Sequence, residues 1–452
     1  MLKQLFSCIL LASILFSCQT ASKPSAESER VSKTPVPEWS KDAVIYEVNT
    51  RQYTEVGTFE AFEEHLPRLK ELGVDILWFM PIYPIGEKNR KGTLGSYYSI
   101  QDYQAVNPEF GTLEEFKSVV QKAHDLGMKV ILDWVANHTS WDHEWITTHP
   151  EWYTKDSVGN MIAPFDWTDV AQLDYTQEGM RTAMKSALNF WVKETDIDGY
   201  RCDVAGMVPV DFWESATEEL NAIKPIFMLA EDEAETDLLL KAFNANYGWE
   251  FHHIMNNIAK GDKTAIDATE YLQNIASKCP KGAYPIQFTS NHDENSWNGT
   301  TLERMGDAVN TFAALTFVVE GMPLIYNGQE AGLNKRLEFF EKDLIDWSDL
   351  SASQLYSQLI KLKKENKALW NGTEGGNTLF IETNEPEKVL AFKREKGDNS
   401  VTVIFNLSAE NVSVNTFLAV EKGNTNYFDS TQVKEPITDF SLDAWDYLIF
   451  YK

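Results

Sequence analysis

The sequence predicts an α/β protein: a (β/α)8 barrel with a small inserted subdomain after its third strand and a C-terminal all-β sandwich domain. Three observations predict it. Eight short β-rich runs alternate with amphipathic helical stretches between residues 42 and 366; the connection after the third run is too long for an ordinary βα loop; and from about residue 369 the pattern changes to short alternating strands. A chain of 452 residues with 43% hydrophobic content is long enough for one large core and a smaller second one.

Taken in order, residues 1–18 hold Lys3 and then an apolar run to Phe16, the layout of an export signal and too short for a comfortable membrane span. Leu15-Phe16-Ser17-Cys18 resembles a bacterial lipobox, which makes Cys18 the expected acylated residue, anchoring an exported protein to a membrane at the periplasm or cell surface. Residues 19–38, rich in Ser, Lys, Glu and Pro, read as a flexible tether. The barrel is expected over 39–368, with strands at 43–49, 74–80, 129–135, 199–204, 225–231, 248–251, 285–290 and 322–326. Its helices are expected at 59–72, 113–126, 180–194, 211–223, 265–277, 302–318 and 352–365. The insert, 138–175, carries Trp141, Trp145, Trp152, Tyr153 and Trp167, and its aromatics have two readings, stacking on a ligand or packing the insert's own core. The β domain, 369–452, has strands near 389–394, 400–406 and 446–451. Outside the leader only Cys202 and Cys279 remain, and they read as two buried thiols rather than a disulfide.

The formal net charge of −28 is spread without a long single-sign run, which argues against nucleic acid as a partner and for a neutral or cationic ligand. There is no GxSxG elbow, phosphate-binding glycine loop, HExxH or Cys/His cluster, so esterase, nucleotide, metalloprotease and zinc chemistry lack their residues. A barrel works at the C-terminal ends of its strands. There this chain offers Asp133, Asn137 and His138 after strand three, Arg201 and Asp203 at strand four, Glu231 at strand five, and His292 and Asp293 after strand seven. Arg201 and Asp203, two apart on a strand, share one face. Converging carboxylates around a neutral ligand suit glycoside hydrolysis, in which one acid protonates the leaving oxygen and one carboxylate attacks or activates water. Crowding of like charges raises one of the pKa values and keeps the acid protonated, while Arg201 holds its neighbour Asp203 ionised.

Six stretches, in order, resemble the motifs of the α-amylase family, glycoside hydrolase family 13: GSYYSIQDY at 95–103, DWVANH at 133–138, GYRCDVA at 199–205, LAED at 229–232, FTSNHD at 288–293 and GMPLIYNGQE at 321–330. The resemblance covers roughly residues 42–452 and implies an α-1,4-glucan substrate cleaved with retention through a glycosyl-enzyme. It implies Asp203 as nucleophile, Glu231 as general acid and base, and Asp293 as the carboxylate that binds sugar hydroxyls. His138 and His292 would hydrogen-bond the sugar before the scissile bond, Tyr98 would stack on it and Arg201 would orient Asp203. The chemistry implies no cofactor. Of the family's structural calcium site only Asn137 is matched, with Asp166, Asp169 and Asp174 as available partner oxygens, while the family's Lys-His after the fourth strand is replaced by Gly206-Met207. Two other readings remain: a 4-α-glucanotransferase using the same intermediate, and a glucan-binding surface protein without catalysis.

Overall fold

Eight parallel strands close into the expected barrel within residues 30–452, the part of the chain that this computed structural model describes. They are β1 Ile45–Val48, β2 Ile76–Phe79, β3 Lys129–Trp134, β4 Gly199–Cys202, β5 Phe227–Ala230, β6 Ala245–Tyr247, β7 Tyr284–Phe288 and β8 Met322–Tyr326. Strand β1 pairs with both β2 and β8, which leaves no free edge. Alternation along the strands produces two cores. Ile45, Trp78, Ile131, Leu229, Tyr247 and Phe288 fill the barrel, while Tyr46, Leu77, Val130, Tyr200, Met228 and Ile325 face the surrounding helices. Gly199 opens β4 because a Cβ there would stand 2.0 Å from the carbonyl oxygen of Phe227 on β5.

Strand six is a correction. It lies at Ala245–Tyr247, and the expected run 248–251 instead opens the helix Trp249–Lys260. Trp249 and Phe251 alternate like strand residues, but Phe251, Ile254, Met255 and Ile258 are buried at helical spacing. The helix expected at 59–72 is two, Phe59–Glu63 and Leu66–Leu72, the second with Pro67 in its first turn. The one expected at 302–318 divides into Thr301–Met305 and Val309–Val318.

The export signal and Cys18 lie outside the described residues, as does the tether up to residue 29. From Arg30 the segment read as tether is laid on the barrel: the amides of Ser32 and Lys33 donate to the carbonyls of Lys281 (2.9 Å) and Leu240 (2.7 Å), and Thr34 is buried. Backbone bonds, invisible to a composition argument, hold it there.

The insert pairs His138–Ser140 with Val170–Gln172 over the barrel mouth. The C-terminal domain is a five-stranded sheet whose inner face packs on the two-stranded sheet Val412–Val420 with Ile437–Leu442. Two buried basic side chains hold the junction with the barrel. Arg394 donates to the carbonyls of Val318 (3.2 Å) and Val319 (2.8 Å), and Lys363 to those of Gly321 (3.0 Å) and Leu369 (2.6 Å). Backbone carbonyls replace the water that each group loses on burial. Cys202 and Cys279 are free and buried, as the sequence indicated.

Candidate active site

In the pairing of β3 with β4, Asp133 stands opposite Arg201, and both side chains are fully buried inside the barrel. The guanidinium of Arg201 is the hub of the site. Its Nη1 donates to Asp133 Oδ1 at 3.0 Å and to Asp203 Oδ1 at 3.1 Å, and Nη2 lies 2.8 Å from Glu231 Oε1. Its Nε donates to the Tyr247 hydroxyl at 3.2 Å, and the group lies over the Trp78 ring at 5.1 Å. Arginine serves here because its planar fork addresses several carboxylates at once.

Strand β4 ends at Cys202, two residues earlier than expected, because Val204 takes a left-handed conformation with φ 38° and ψ 48°. For a β-branched residue this is strained. The turn aims the Val204 amide at Glu231 Oε2, 2.8 Å away, so the backbone next to Asp203 holds the carboxylate of the neighbouring strand. Burial, and next the charge of Glu231, push the Asp203 carboxyl well above the usual carboxylate range, against the pull of Arg201. The crowding of carboxylates expected from the sequence is present, but the raised group is Asp203.

After β7, His292 and Asp293 close the other side, with His292 Nε2 3.3 Å from Asp293 Oδ2 and 2.8 Å from the Tyr98 hydroxyl. Tyr98 in turn donates to Asp133 Oδ2 at 3.0 Å. Burial opposes charge on His292, yet Asp293 and Glu47 raise its pKa to about 9, so this ring is a cation at neutral pH. His138 is the opposite case: burial lowers it to about 4 and keeps it a neutral donor and acceptor.

A cleft of about 460 Å³ collects these groups. Tyr98, His138, Asp203, Glu231, His292 and Asp293 line it, and Arg201 lies beneath as its floor. Six of the seven non-metal residues picked from the sequence thus border one cavity and the seventh supports it. The sequence reading missed Lys91, Trp297, Phe339 and Phe340, which also line it. Trp297 is 52% exposed and lies 5.3 Å from Phe339, whose ring stacks on Tyr98 at 6.2 Å. Lys91, Phe339 and Phe340 sit on loops and Trp297 in the short π-helical turn Glu294–Asn298, all without periodicity, and only the Phe-Phe pair hinted at them. Of the insert aromatics, Trp167 faces the cleft, whereas Trp145 packs on Trp152 and Tyr103.

Asn137 stands apart. Its side-chain amide meets His138 Nδ1 at 3.1 Å and its carbonyl accepts from Leu173. Asp169 pairs with the Lys91 ammonium at 3.1 Å, and Asp174 accepts from Thr176 and Gln177. Among the described residues no three His, Cys, Asp or Glu side chains gather as a metal site. At Gly206 a Cβ would lie 2.2 Å from Asp232 Oδ2, so the carboxylate occupies the space that a longer side chain would need.

A closed parallel barrel whose strand ends bring three carboxylates into one aromatic-walled cleft defines an enzyme of the glycoside hydrolase type. The chain belongs to the alpha-amylase family: the family model described as "Alpha amylase, catalytic domain" matches residues 46–168 and 148–378. It is 25% identical over 445 residues to "Alpha-amylase 3" of Dictyoglomus thermophilum, covering 82% of this chain and 85% of that one. The crystal structure of an alpha-amylase from Lactobacillus plantarum superposes with a TM-score of 0.82 at 31% identity, covering 92% of this chain and 99% of that one. That of a noncanonic maltogenic alpha-amylase from Thermotoga neapolitana superposes with a TM-score of 0.83 at 29% identity, covering 91% and 99%.

Proposed function

We propose that the protein cleaves α-1,4 bonds of starch-derived glucans by retaining double displacement. The observation that carries this reading is the hub: one buried guanidinium engages both Asp203 and Glu231 at the floor of a cleft whose walls are aromatic and whose rim offers His138, His292 and Asp293 to hydroxyl groups. Asp203 attacks the anomeric carbon while Glu231 delivers its proton to the glycosidic oxygen, so the C–O bond breaks as the ester forms. Glu231, now ionised, takes a proton from water, whose oxygen displaces Asp203 and restores the starting state. Asp293 stabilises the positive charge that develops at the anomeric carbon, the His292 cation donates to sugar hydroxyls, and Arg201 keeps the two working carboxylates in place.

A product time course on amylose, pullulan, maltoheptaose and a cyclodextrin tests the reading. Short oligosaccharides with α-configured reducing ends are expected. Longer glucans appearing from maltoheptaose without reducing-end release would assign a transferase instead, and binding without any product would assign capture.

We also propose, from the leader sequence alone, that the enzyme is exported and lipid-anchored through Cys18. Cys18→Ala should then move it from the membrane fraction to the soluble one; an unchanged distribution removes the anchor.

A further inference from the structure

We propose that Glu47, inside the barrel on β1, is a positioning residue of this site that orients His292 and, through it, the sugar-stacking Tyr98. The inference rests on the glucan-hydrolase reading for the role of Tyr98, but its geometry stands alone. Glu47 is 0% exposed, and its register neighbours are Trp78 on β2 and Tyr326 on β8. Its Oε1 meets His292 Nδ1 at 2.5 Å, while Oε2 has no hydrogen-bond partner. A carboxylate buried with one idle oxygen is costly, and glutamates are seldom fully buried without a task.

The task follows from counting protons. His292 sits between Glu47 at Nδ1 and the Tyr98 hydroxyl at Nε2, and that hydroxyl also meets Asp133 Oδ2. Tyr98 has one proton, and burial keeps its phenol protonated. If the phenol donates to Asp133, it must accept from His292 Nε2–H, and Nδ1–H faces Glu47. With Glu47 ionised, the chain from Asp133 through Tyr98 and His292 to Glu47 is complete only when both ring nitrogens carry protons. A neutral ring would take the phenol's proton for itself and withdraw it from Asp133.

The groups facing His292 are Glu47 from β1, Tyr98 after β2, Asp133 through Tyr98 from β3, Arg201 from β4 and Asp293 beside it; Phe339, from the loop after β8, adds an apolar ring at 6.2 Å. Arg201 opposes the positive charge, and the carboxylates favour it. The folded-state pKa is therefore raised, so the cation persists below it and is lost as pH rises through about 9. Without the charge of Glu47 that loss moves to lower pH.

The test is the pH titration of the His292 ring in 15N-histidine-labelled protein, assigned by difference with His292→Gln, alongside pH profiles of kcat/KM. Expected are a His292 midpoint near 9 in the parent protein and, in Glu47→Gln, a midpoint lower by about one unit or more, with the alkaline limb of kcat/KM following and a loss of roughly tenfold at pH 8 to 9. Glu47→Asp, which keeps the charge, should retain the higher midpoint. A parent midpoint below 7, measurable without any variant, overturns the proposal, as does an unchanged midpoint or alkaline limb in Glu47→Gln. The ring titration needs no turnover, so failure of the hydrolase reading would show separately, as a parent enzyme inactive on every α-glucan.

Discussion

At the scale of single residues, the site holds a conflict that the chemistry uses. Asp203 is buried beside Glu231 and, in the proposed mechanism, needs a negative charge there to attack. A carboxyl with a folded pKa above its unfolded one binds its proton more tightly in the native state, so folding stability falls as pH rises from the unfolded value through the folded one. Asp203 is therefore a net cost to the fold whenever it is ionised. Asp203→Asn should lower kcat by roughly a thousandfold or more while raising Tm by about 1–3 °C; a lower Tm in calorimetry would show that Arg201 depends on that charge. The motif residues were legible because polar groups at strand ends stand out against an apolar pattern. Glu47 was not, since a lone glutamate in Ile-Tyr-Glu-Val reads as the solvent-facing member of a strand, and only barrel closure turns that position inward. Trp297 and Phe339 were hidden for another reason: the short turn and the loop that carry them are placed by packing, and no local pattern encodes where such a segment ends up.

At the scale of elements, the strands that carry apolar runs were readable to within a few residues, and the departures have local causes. β6 escaped because three residues, one of them Asn246, are too few to show alternation, and the bulky residues after Gly248 imitated it. β4 stops early because its backbone must turn at Val204 to reach Glu231. The spacing of β4 and β5 is set by Gly199, whose missing Cβ lets the Phe227 carbonyl approach. Gly199→Ala should therefore cost roughly 3 kcal/mol in urea unfolding. It should also lower kcat/KM, because separating these strands moves Arg201 and Asp203 away from Glu231. Unchanged activity in a destabilised variant would show that the strand ends adjust independently of their beginnings.

At the scale of the whole molecule, the division into barrel, insert and β domain was visible as changes of pattern, whereas the joint between barrel and β domain was not. Nothing local in Arg394 or Lys363 reports that each will end among the backbone carbonyls of a distant segment. The last residues read as tether belong with them, since Arg30 to Lys33 are held by long-range backbone bonds that composition cannot foresee. The two interior thiols bear on how the molecule is made and handled. With Cys202 and Cys279 unpaired and buried, the described fold contains no disulfide, so its stability should not depend on whether the compartment is reducing or oxidising. Dithiothreitol should leave the melting curve unchanged. An alkylating reagent should modify neither sulfur until the barrel opens, and the rate of labelling then becomes a clock for global unfolding; fast labelling of Cys202 at low temperature would instead reveal a local breach directly behind the nucleophile's strand.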